Sequence, residues 1–280
     1  MNNVAGKRKI SNASIAAYVL TILSLIGFSL LVAFKPEIYE GLVEEDGIVE
    51  YVGFVFLLLT SYVLLSASFY AYKELKSSKA LGLIFLLAGI AFGFSAGEEI
   101  SWGQRIIGFD TPEVMVGVND QNEFNLHNIN KGFIDQSLRY SIALFVLIGV
   151  ALLIVKTFSL WRFALPDIFI LHAFALCTIY QRISVLDKPY YLIVALLFVS
   201  LLVWANKKQI LELNITILTL FVSLIVTAVL WYFDSHTNDN STPEIREYIF
   251  AYVSLAYALN VRDGISSENE QSIQIAKSST

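Results

Sequence analysis

Seven apolar runs, each near the length a helix needs to cross a bilayer, dominate this chain: 14–34, 48–72, 80–97, 138–155, 166–183, 189–205 and 213–233. A hydrocarbon core about 30 Å thick takes roughly 20 apolar helical residues to span. Backbone N–H and C=O groups find no water in hydrocarbon, so such runs must be helices; alternating strands of a barrel are not visible. An eighth segment, 247–261 (EYIFAYVSLAYALNV), is shorter and either crosses or lies flat on the surface. Only 15 % of the residues are charged, too few to cover a soluble domain, which carries about 25 %. A soluble enzyme, a nucleic-acid binder and a disordered chain are excluded, and the lipid bilayer is the partner that the composition demands. The fold class expected is all-α: a polytopic transmembrane bundle of eight helices over 1–263, seven if the last segment is interfacial, then a polar tail, 264–280, expected to be unordered.

Lys7, Arg8 and Lys9 precede the first run as in a signal peptide. That run is longer than such a segment needs and ends in Phe34-Lys35-Pro36 without a small-residue cleavage site, so it reads as a retained anchor. Basic residues gather on the cytoplasmic side of membrane proteins. With the N-terminus inside and eight crossings, twelve of the 19 basic residues fall in cytoplasmic segments, and 18 of the 24 acidic residues fall outside.

The polar segments 35–47, 98–137, 184–188 and 234–246 then share the outer face. The loop 98–137 is far longer than an ordinary connection, and loops of that length are usually functional. It follows a helix whose Gly82, Gly89, Gly93 and Gly97 form a small-residue ridge for close helix packing. At that helix's C-terminal end stand Glu98 and Glu99, disfavoured there by the negative pole of the macrodipole and by each other. A positive partner is expected: Arg105, if the helix runs two turns further, or a metal ion. Other acids need no such partner. Glu44, Glu45 and Asp46, with Asp46 as cap, precede the second run; Thr242-Pro243-Glu244 opens the eighth segment, and Asp167 follows Pro166 at the start of another helix.

Beyond Glu99, Trp102, Ile106, Ile107 and Phe109 suit the membrane–water interface. Thr111-Pro112-Glu113 is expected to start a short helix through Val116, followed by asparagine-rich turns that contain Asn125 and His127. Of the three histidines, His127 and His236 fall outside, whereas His172 lies within an apolar run and reads as a helix–helix contact. Glu98, Glu99, His127 and His236, with Asp234 nearby, are the candidate ligands of one divalent metal ion, which would generate a nucleophilic water. Glu98, Glu99 and His127 are the candidate catalytic groups. No HExxH, GxSxG, phosphate-binding loop or dinucleotide fingerprint accompanies them. The lone Cys177 makes no intrachain disulfide.

The block Gly97-Glu98-Glu99-Ile100-Ser101-Trp102-Gly103-Gln104-Arg105, with Gly108-Phe109-Asp110-Thr111-Pro112-Glu113, Asn125-Leu126-His127-Asn128, Glu45-Asp46-Gly47 and Glu50-Tyr51, resembles a family of uncharacterised bacterial multi-pass inner-membrane proteins. The resemblance implies the inner (cytoplasmic) membrane of a bacterium as the localisation, and no activity. It implies that Glu98, Glu99, Trp102, Gln104, Arg105, Asn125 and His127 belong to one recurrent unit. The metal-dependent membrane hydrolases related to alkaline ceramidases are a looser analogy, since their paired-histidine motif is missing. Three readings stay open. A membrane scaffold or assembly partner is favoured. A metal-assisted hydrolase or transferase on a lipid or lipid-linked substrate would bind it through Trp102, Gln104, Arg105 and Asn125, with Arg105 on an anionic headgroup. A transporter is the third.

Overall fold

A computed structural model describes residues 10–44, 47–74, 79–113, 116, 124–155, 164–181, 188–207, 210–237 and 241–278. The described residues form an all-α bundle: α1 (Asn12–Phe34), α2 (Pro36–Val43), α3 (Ile48–Glu74), α4 (Lys79–Glu99), α5 (Gln104–Ile107), α6 (Lys131–Val155), α7 (Ile168–Cys177), α8 (Lys188–Ala205), α9 (Ile210–Tyr232) and α10 (Ser241–Ser278). Five of them are apolar and long enough to cross a membrane, namely α1, α3, α4, α6 and α9, and α7 and α8 are shorter apolar helices. Their outward faces expose Leu23, Leu58, Leu87, Ile148 and Leu224 among many other apolar side chains, as a lipid-facing wall does.

The glycine ridge packs α4 on α3. A Cβ added at Gly89 would lie 2.8 Å from the Leu65 side chain and 3.1 Å from its backbone nitrogen, and one at Gly93 would lie 2.9 Å from Ser61 Oγ. Close approach lets Ser61 donate to the Gly89 carbonyl at 2.7 Å and Ser68 to the Gly82 carbonyl at 2.6 Å. Gly53, also on α3, has open space where its Cβ would be. Alanine raises helix propensity at either position by about 1 kcal/mol, but at Gly89 the overpacking opposes it, typically by about 1–3 kcal/mol. Gly89→Ala is therefore expected to lower the thermal midpoint in detergent, and Gly53→Ala to leave it unchanged or raise it.

Two helices lie at the centre, shielded from lipid. Every α7 residue except Phe169 is buried. Asp167 caps it, accepting from the Phe169 and Ile170 amides at 3.0 and 3.1 Å, while Asn260 of α10 donates to its other oxygen at 2.6 Å. His172 bonds the Ile168 carbonyl at 2.8 Å and Thr216 of α9 at 2.9 Å, the interhelical contact expected of it. The second central helix, α10, follows α3. Phe56 touches Tyr248 and Tyr252, and Ala71 shares a buried cluster with Ile265. The two helices thus run side by side in the same direction for about 25 Å. Shielding explains why α10 tolerates Tyr252, Ser254 and Asn260 where a lipid-facing helix would not.

Several boundaries depart from expectation. Among the described residues of the run 166–183, only Ile168–Cys177 are α-helical, and the Thr178 hydroxyl donates to the Ala175 carbonyl at 2.7 Å where the chain leaves the helix. The segment 264–278, expected to be an unordered tail, is helical as the continuation of α10, and Ile265 is fully buried against α3 and α4. Helix α10 begins at Ser241, one residue before Thr242, with Pro243 still in the first turn, where a missing N–H costs nothing. Asp46, expected to cap α3, lies outside the described residues.

Candidate functional site

The C-terminal end of α4 is where the sequence placed the chemistry. The helix stops at Glu99, so Arg105 is not carried two turns further along it. Ser101 and Trp102 follow with φ of 46° and 55°, left-handed values that side chains other than glycine rarely adopt. Each such residue costs about 1–3 kcal/mol, which surrounding contacts must offset. The turn folds the indole back against α4. The Trp102 ring lies where a Cβ on Gly97 would be 2.8 Å from it, and it meets Phe94 edge-on at 5.3 Å between centroids. Gly97 thus makes room for a ring from its own loop, while the three earlier glycines serve α3.

This fold-back builds a hydrogen-bonded clasp. Trp102 Nε1 donates to Glu98 Oε1 at 2.6 Å, and the Leu126 amide donates to Glu98 Oε2 at 2.6 Å. Asn125 Nδ2 donates to Ser101 Oγ at 2.8 Å. Gln104 accepts from the Phe124 amide at 2.6 Å and donates to Thr111 Oγ1 at 2.8 Å. Glu98, Ser101, Gln104 and Asn125 are all buried, and Glu99 is half-buried beside them. Short bonds from N–H donors to a carboxylate are the strong, charge-assisted kind. Part of the positive compensation expected for Glu98 comes from these two N–H dipoles. Thr111 and Pro112 are not helical and Glu113 sits in a turn, so the helix expected from Thr111 does not start there; the Thr111 hydroxyl is held by Gln104 instead.

No family model, curated protein or solved structure matches this chain. The site is therefore read from its own geometry. Of the residues singled out in the sequence, Glu98, Trp102, Gln104 and Asn125 converge. The side chains of Arg105 and His127 lie outside the described residues. His236 is engaged elsewhere, donating through Nδ1 to the Val32 carbonyl at the end of α1 at 2.9 Å. Among the described residues no group of three or more His, Cys, Asp or Glu side chains is placed to hold a metal ion.

Sequence reasoning passed over a second polar cluster. Asp135, in the first turns of α6, pairs with Arg246 of α10 and, at 3.3 Å, with Arg139 one turn along. Arg246 is only 1 % exposed. Its Nη1 donates to the Tyr180 carbonyl at 3.4 Å, just past the C-terminal end of α7, where a cation is favoured by the helix dipole. Arg139 donates to Gln181 Oε1 at 2.7 Å and lies over the Tyr190 ring, 5.0 Å from its centre. Tyr190 in turn donates to the Thr178 carbonyl at 2.8 Å. The irregular backbone after α7 is thereby enclosed in protein, the condition under which a membrane tolerates it. On α2, Tyr39 donates to the Ser241 carbonyl at 3.2 Å, and burial raises its phenol above the ordinary pKa so that it stays a donor. The signal was available: Asp135 and Arg139 stand four residues apart at the mouth of an apolar run, and charges in such places are costly unless paired. Starting that run at residue 138 assigned Asp135 to the loop.

Proposed function

We propose that this chain is a multi-pass inner-membrane scaffold or assembly partner. The polypeptide crosses eight times with its N-terminus in the cytoplasm, and its long outer loop stands as a fixed platform for a protein partner. The observation that carries the reading is the occupation of Glu98: both carboxylate oxygens accept in-chain N–H donors at 2.6 Å. Ser101, Gln104 and Asn125 are likewise spent on holding 98–104 to 124–126. Groups committed in this way rigidify a loop; a general base or an open metal site keeps a coordination position free. The basic cytoplasmic segments support the orientation, and the lateral run of α10 beside α3 supports the eighth crossing. The resemblance carried by GEEISWGQR and NLHN belongs with this proposal, since those two blocks are the halves of the clasp.

Elemental analysis of the purified, detergent-solubilised protein tests it. The expected result is no divalent metal near one equivalent, with Glu98→Gln and His236→Gln indistinguishable from the parent. One bound metal that Glu98→Gln removes would overturn the scaffold in favour of the metal-assisted hydrolase or transferase. A transporter draws support from one feature, a half-length α7, buried except at Phe169, that ends at an ionic cluster. Solute flux in proteoliposomes that Asp135→Asn abolishes, with the fold intact, would put that reading first.

A further inference from the structure

Among the described residues, the clasp leaves a set of large apolar side chains exposed. Ile106 is 66 % exposed, Ile107 74 % and Leu126 54 %, and Trp102, Phe109 and Phe124 are exposed beside them. Phe109 and Phe124, from opposite ends of the loop, meet edge-on at 6.0 Å, so the two segments present one ridge. We infer that this ridge is a binding surface for the outer leaflet of the bilayer: residues 100–113 and 124–126 lie in the membrane interface and hold lipid acyl chains against Ile106, Ile107 and Leu126.

Three observations select lipid over a protein partner or a second copy of the chain. The ridge is continuous with the lipid-facing wall. Trp102 packs on Phe94, itself exposed on the outer side of α4, and the loop re-enters α6 at Phe133 and Ile134, which are also exposed. The six-membered ring of Trp102 lies against Gly97 of α4 while its N–H donates to Glu98. Indoles take that posture at a bilayer surface, with the ring in the acyl region and the N–H among polar groups. None of the six exposed side chains carries a charge, whereas the rims of protein interfaces are polar. The left-handed turn at Ser101 and Trp102 gives this posture its reason, because it swings the chain from the end of α4 back down its side. The inference is independent of the proposed function, since a scaffold, an enzyme and a transporter could each carry such a collar.

The test uses the full chain in vesicles of phosphatidylcholine and phosphatidylglycerol, with an environment-sensitive fluorophore on Ile107→Cys, on Leu126→Cys and, as the water-side control, on Asp110→Cys. The native Cys177 is fully buried, and the unsubstituted chain measures its labelling. The expected result is blue-shifted emission at 107 and 126, quenched by spin labels near the headgroup end of the acyl chains and not by aqueous iodide, with the opposite pattern at 110. Iodide quenching at 107 and 126 equal to that at 110 would overturn the inference. So would a blue shift that vanishes when the protein is diluted in excess lipid, since a second copy would then be the cover.

Discussion

Asp135→Asn is expected to cost about 3–5 kcal/mol, the usual penalty for leaving a buried charge without its partner. The carboxylate lies between Arg246 and Arg139, so its loss strands two guanidiniums, with Glu247 the remaining electrostatic partner of Arg246. Arg246→Met removes one cation but leaves the Asp135–Arg139 pair, and a smaller loss is expected. Thermal unfolding in detergent, read for both single variants and the double variant, checks the order. The double variant should lie above Asp135→Asn, because removing Arg246 removes one of the stranded charges. A double variant that falls by the sum of the single losses would mean that the two groups act separately. The structural cause is the short α7: its C-terminal carbonyls end inside the bundle and require a cation there, which Arg246 supplies.

Glu98→Ala should release the loop that follows α4. Two N–H donors, from Trp102 and Leu126, lose their acceptor at once, and a hydrogen bond to a charged group is worth about 1.5–3 kcal/mol. The two left-handed residues at Ser101 and Trp102 lose the contact that offsets their strain. Together these effects amount to roughly 3 kcal/mol or more of local stability. Hydrogen exchange should show fast exchange at Leu126 and Phe124, with little change in the buried α7. Glu98→Gln keeps one acceptor and should behave in between. Unchanged protection at Leu126 in Glu98→Ala would mean that the clasp does not hold the loop.

The bundle was legible in the sequence because hydrocarbon imposes a rule on composition: a lipid-facing helix must be long and apolar, and α1, α3, α4, α6 and α9 obey it. The small-residue ridge was legible for a similar reason, since glycine spacing along a helix reports its own face. That GEEISWGQ and NLHN belong together was implied only by the resemblance, and the way they meet was not legible, because it depends on a left-handed turn at two non-glycine residues. No local preference predicts that turn, and only the bonds from Trp102, Leu126 and Asn125 make it tolerable. The ionic cluster escaped for another reason. Asp135, Arg246 and the end of α7 are far apart in the chain, and their proximity exists only once α6, α7 and α10 are packed.

Tertiary structure also decided which helices stand inside. Hydropathy records contact with lipid, so it marks the outer ring plainly and the shielded centre poorly. The polar α10 therefore reads as a marginal segment in the sequence and the run that holds α7 as one crossing among seven, yet these two helices are the core on which the others pack. A residue's neighbours, more than its own character, determine whether a membrane accepts it there.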